Sequence, residues 1–112
     1  MNFEDYQNKS RETWLFNHQN DKIRAVLGLV GESGEVAEKF KKLLRGDEKY
    51  QGQEGRFCFN HEIKKELGDV TYYIARICDY CGLSFNDVVT HNIEKLMKRK
   101  AEGKLKGSGD TR

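Results

Sequence analysis

Apolar residues recur every third and fourth position over long stretches of this chain, and no proline interrupts its 112 residues. That repeat lines apolar side chains along one face of a helix. Strand-like alternation is scarce. The expected fold is all-α: a bundle of about four helices in a single domain over residues 1–112. The first helix is predicted from about Phe3 to His18. The second runs from about Lys22 to Leu44, capped by Asn20 or Asp21, with Ile23, Val26, Leu27, Val30, Val36, Phe40, Leu43 and Leu44 as its stripe. Residues 47–57 hold two glycines and much charge, and read as a loop. The third helix is predicted from Asn60, its expected cap, to Tyr80. Ser84 caps the fourth, which runs to about Glu102 and stops at Gly103. Residues 104–112 form a basic, glycine-containing tail, expected to be flexible.

Apolar residues make up 37% of the chain and charged residues 34%. A lean core of this kind points to apolar surface buried against a second copy. The net charge is only +2, which does not suggest bulk electrostatic capture of nucleic acid. No apolar run approaches the ~20 residues that span a bilayer. The start, Met1-Asn2-Phe3-Glu4-Asp5, lacks the basic and apolar regions of a secretory signal. Three cysteines fit reduced thiols in a cytoplasmic protein.

Acidic residues concentrate in two segments. The second helix carries Glu32-Ser33-Gly34-Glu35-Val36-Ala37-Glu38 and the third carries Glu66-Leu67-Gly68-Asp69. Residues three apart share a helix face, so each helix presents a carboxylate pair to one side. Such pairs are commonly solvated surface acids. Here Glu66 falls within the apolar stripe of Ile63, Val70 and Ile77, and Glu32 lies beside Val36 and Leu43. Carboxylates gathered near a core are costly unless a cation joins them. Oxygen-only ligands suit magnesium, with manganese as a substitute. No glutamate has a histidine three residues later, which disfavours a helical di-iron site. Gly28, Gly31, Gly34 and Gly68 interrupt the same two helices, and suggest close approach by another helix or a ligand.

Basic residues concentrate after Asn92. Lys95 and Arg99 lie four apart on one helical face, where they can hold phosphate oxygens or simply complement the helix dipole. A triphosphate–magnesium complex needs acids for the metal and bases for the phosphates.

These residues resemble the MazG-like branch of the all-α nucleoside triphosphate pyrophosphohydrolases over most of the chain. Gly31 to Glu38, followed by Lys65-Glu66-Leu67-Gly68-Asp69-Val70, is similar to that family's ExxE…ExxD signature. Asn92, Lys95, Leu96 and Arg99 resemble its N-x-x-K-L-x-x-R helix. Tyr6-Gln7 and Gly107-Ser108-Gly109-Asp110, ending in Arg112, resemble the opening and tail of a compact subgroup. The resemblance implies that Glu32, Glu35, Glu66 and Asp69 bind magnesium. It implies that Lys95 and Arg99, with Asn92 beside them, contact phosphates, and that the chain forms a homodimer or homotetramer. The implied reaction cleaves a nucleoside triphosphate between the α and β phosphates. Glu35 and Glu38 are the candidate catalytic carboxylates.

Other patterns carry less. Cys58-x-x-His61 and Cys78-x-x-Cys81 imitate a zinc site, but on one continuous helix His61 and Cys78 stand about 25 Å apart. Trp14 and Phe16 offer faces for a base, or pack in the core or a subunit interface. His18 near a helix end lines a pocket or caps the helix. Two rival functions remain: a non-enzymatic helical module binding RNA or protein through the basic end, and hydrolysis of another phosphoanhydride such as a nucleotide–sugar.

Overall fold

The computed structural model describes residues 1–15 and 20–109. Four α-helices occur among them: α1 Phe3–Arg11, α2 Asp21–Leu44, α3 Gly52–Cys81 and α4 Phe85–Ala101, with a short 3-10 turn at Glu48–Tyr50. No strand occurs among the described residues.

Asn2 caps α1 by accepting from the Asp5 amide at 2.8 Å. Acids in the first turn and bases in the last complement the helix dipole. The helix is shorter than the predicted Phe3–His18. After Arg11 the amides of Glu12, Thr13 and Trp14 bond only three residues back. The Thr13 hydroxyl also takes the Ser10 carbonyl at 2.8 Å. Trp14 leaves the helix to pack against Tyr72 and Tyr73. The expectations for Phe16 and His18 lie outside the described residues.

Helix α2 matches its predicted extent, with Asn20 at the N-cap making no side-chain cap bond. Helix α3 begins about two turns before the predicted Asn60, which sits inside it rather than capping it. The reason is tertiary. Tyr50 is buried, packs edge-on against Phe59 at 5.4 Å and hydrogen-bonds Glu62, which winds the glycine-containing segment into the helix. Gly82, at φ +68, ends α3 in a left-handed turn in which the Leu83 amide donates to the Cys78 carbonyl at 2.8 Å. Ser84 then caps α4 as expected, accepting from the Asp87 amide at 3.2 Å.

Ala75, Cys78 and Phe85 form the core, with Tyr6, Ile74 and Val89 around it. Gln7 ties α1 to the α3–α4 turn. Its Nε2 donates to Asp79 Oδ1 at 2.8 Å and to the Leu83 carbonyl at 2.9 Å, while its Oε1 accepts from the Phe85 amide at 2.8 Å. Buried Arg76 donates to the Gln7 carbonyl and to Ser10 Oγ, and pairs with Asp79 at 2.7 Å.

Helices α2 and α3 lie antiparallel. Tyr73 covers Gly28, Lys39 reaches Glu66, and Phe40 meets Phe59 edge-on at 5.1 Å. Stepping one turn along each helix from Gly28 and Tyr73 brings Glu32 opposite Asp69. Among the described residues, close packing therefore explains Gly28 alone of the four noted glycines. A β-carbon on Gly31, Gly34 or Gly68 would meet nothing within 4 Å.

The chain is open in shape. Its radius of gyration is 17.3 Å, against about 13 Å for a compact domain of this length. Its accessible surface is 8508 Å², against about 6300 Å² for a folded monomer of this mass. Ile23, Val26, Leu27 and Val30 of α2 remain exposed.

Candidate metal centre

Three acids converge between α2 and α3. One carboxylate oxygen each of Glu32, Glu66 and Asp69 lies within 4.8 Å of the other two. Glu32 and Glu66 are half-buried and Asp69 is exposed. Burial, and then the charges of Asp69, Glu66 and Glu35, push the Glu32 carboxyl above the usual carboxylate range. Glu35 is not one of the trio. It is exposed on α2, near enough for its charge to act on Glu32.

The donors fit a hard divalent cation. They are all oxygen, they come from two helices, and all three lie close enough together that one cation could sit among them.

Helix α1 closes one flank. Tyr6 donates from its hydroxyl to the Gly68 carbonyl at 3.5 Å, next to Asp69. Its phenol is raised by burial and by the Asp69 charge. Lys39 of α2 stands 3.8 Å from Glu66 Oε1. Sequence reasoning passed over Lys39. Its spacing, four residues after Glu35 and seven after Glu32, was the available signal.

Glu38 points elsewhere. It pairs with Lys41 at 3.1 Å, and that contact holds its carboxyl below the ordinary range. The cysteines are free thiols, and Cys58-x-x-His61 and Cys78-x-x-Cys81 lie at distant points of the one continuous helix α3.

The expected phosphate ligands sit on α4, which packs against α1 and α3. Asn92 is exposed and Lys95 half-buried. Arg99 is buried and donates to the Gly109 carbonyl in the tail at 3.4 Å.

Residues 21–103 match the MazG nucleotide pyrophosphohydrolase domain. The chain belongs to this family. The MazG match takes in both acidic segments and the α4 residues Asn92, Lys95 and Arg99. The Gene 37 protein of Mycobacterium phage L5 is 41% identical over 87 residues, 78% of this chain and 73% of that protein. No solved structure gives a significant match. Like the MazG domain as a class, the chain is all-α. No described helix is long and apolar enough to cross a membrane.

Proposed function

We propose that this chain is a magnesium-dependent nucleoside triphosphate pyrophosphohydrolase. It cleaves between the α and β phosphates and releases a nucleoside monophosphate and pyrophosphate. The observation that carries this reading is the convergence of Glu32, Glu66 and Asp69 from two helices, with the Glu32 carboxyl pushed upward by burial and then by the charges of its neighbours. That cluster is unfavourable by itself and favourable around a divalent cation.

Glu32, Glu66 and Asp69 hold magnesium, with Glu35 completing the set. Manganese is an acceptable substitute by ligand type. When bound, the metal neutralises phosphate charge and acidifies water. Lys95 and Arg99 bind the phosphates, the arginine through its fork of donors, and Asn92 adds a neutral hydrogen bond. Glu35, exposed and beside the trio, takes the proton from the attacking water. Glu38 is a weaker base because Lys41 stabilises its charged form; its place is outside the reacting atoms.

The active species is a homodimer or homotetramer. An open shape, a surface some 2000 Å² beyond that of a compact monomer and an exposed apolar stripe on α2 all support a second copy as the covering partner.

Incubation with magnesium and a panel of canonical and modified nucleoside triphosphates tests the reading. Monophosphate and pyrophosphate are the expected products, lost in Glu35→Gln and Glu66→Gln variants that keep their helical content. Absence of turnover across the panel, together with absence of metal binding, overturns it.

A further inference from the structure

Lys39 occupies an unusual place for a lysine. Less than a fifth of its side chain is exposed, and its Nζ lies 3.8 Å from Glu66 Oε1, whose side chain is equally covered. The α2–α3 register sets it between Glu66 and Glu62, one turn earlier on α3. Glu62 is already engaged, by Lys49 at 2.8 Å and by the Tyr50 hydroxyl. Glu66, by contrast, belongs to the converging trio. The ammonium thus stands at the edge of the acidic centre, beside one carboxylate of the converging trio.

We propose that Lys39 is the resident counter-cation of this centre, displaced from Glu66 by a divalent metal and transferred to the phosphates of the substrate. The inference rests on the proposed metal-dependent function. Its physical basis is simple. Without metal, the ammonium offsets the mutual repulsion of Glu32, Glu66 and Asp69. A divalent ion on Glu66 repels the ammonium at short range. The four-carbon stem lets the head group move without moving α2. A magnesium–triphosphate complex still carries net negative charge, and its phosphate oxygens accept the three freed donors.

Manganese alone is the first probe, titrated into wild type, Lys39→Met, Lys39→Arg and Glu66→Gln by calorimetry, with helical content checked for each. An ion pair of this exposure couples to a competing cation by a factor of about two to five. Lys39→Met is therefore expected to bind manganese about two- to fivefold tighter, and Lys39→Arg to restore the wild-type value. The second probe is a triphosphate with a methylene bridge between the α and β phosphorus atoms, at saturating manganese. Lys39→Met is expected to bind it several-fold more weakly. Unchanged manganese affinity in Lys39→Met, with binding lost in Glu66→Gln, overturns the inference and leaves the metal site standing. Tighter manganese with unchanged analogue affinity overturns the transfer to phosphate. Wild-type protein whose manganese binding is absent or indifferent to Glu66→Gln overturns the proposed function itself.

Discussion

The ring of Tyr73 fills the space that a β-carbon on Gly28 would need, its Cε1 only 2.2 Å from that position. This contact lets α2 and α3 approach, and it sets the register that brings Glu32 opposite Asp69. Tyr73 has little room to yield, because Trp14 and Tyr72 pack against it. Gly28→Ala is expected to destabilise the fold by about 1–2 kcal/mol, as overpacking outweighs the gain in helix propensity. Chemical denaturation checks the loss. Manganese affinity should fall with it, since the register carries the acids.

Gly68 makes the opposite case. A β-carbon there meets nothing within 4 Å, so Gly68→Ala is expected to raise stability by up to about 1 kcal/mol through helix propensity. If substrate or a second copy approaches this face, turnover or assembly falls while stability rises. A thermal melt paired with an activity assay separates these effects. A gain in stability with unchanged activity and assembly would show that the space stays open in the working protein.

Asp79 is expected to govern the acid limb of stability. Burial raises its carboxyl, but the bonds from Arg11 and Gln7 and the charges of Arg76 and Arg11 outweigh that and hold it below the ordinary 3.8. The folded value is depressed, so this stabilisation is fully present above the unfolded value. It is lost as pH falls through the folded one. Asp79→Asn also leaves buried Arg76 without its charge partner, at a cost of roughly 3 kcal/mol. Urea midpoints measured from pH 7 down to pH 3 should fall steeply for wild type at the acid end and less steeply for the variant.

Divalent metal is expected to stabilise the protein by binding only the folded state. At about a hundredfold excess over Kd the gain is ~2.7 kcal/mol, a rise in Tm on the order of 10 °C for a chain of this size. Glu32→Gln should raise the metal-free Tm, because it removes a carboxylate that burial and its neighbours disfavour. It should also abolish the rise with manganese. A metal-free Tm that drops in Glu32→Gln would show that the charge is satisfied within the chain.

The long elements were readable because their apolar stripes are strong. Helix α2 and the Ser84 cap of α4 follow directly from local pattern. Three-residue spacing placed Glu66 and Asp69 on one face of α3, but the same spacing paired Glu32 with Glu35, which stands outside the converging trio. What pattern alone did not reveal depends on partners distant in sequence. Gly52 and Gly55 signal a loop until Tyr50 packs on Phe59 and bonds Glu62. The first helix stops early because Trp14 and Thr13 turn toward Tyr72. Lys39 reads as a surface lysine until α3 brings Glu66 against it. Gly31, Gly34 and Gly68 promised close neighbours that the described residues do not supply.

The exposed stripe of α2 gives the last prediction. Leu27 and Val30 are 64% and 65% exposed, and Ile23 and Val26 flank them. Leu27 contributes little to the single chain, so Leu27→Glu should leave its helical content intact. If a second copy covers this stripe, a glutamate introduced at Leu27 goes unpaired into an apolar interface at a cost of several kcal/mol. Sedimentation should then show the wild type as an oligomer and Leu27→Glu as monomer, with activity falling in step if the site needs its neighbour. Glu32 lies on the same helix, little more than one turn beyond Leu27. Loss of assembly should therefore also loosen manganese binding. An oligomer unmoved by Leu27→Glu would place the contact elsewhere. A monomeric wild type would show that the open shape stands without a second copy.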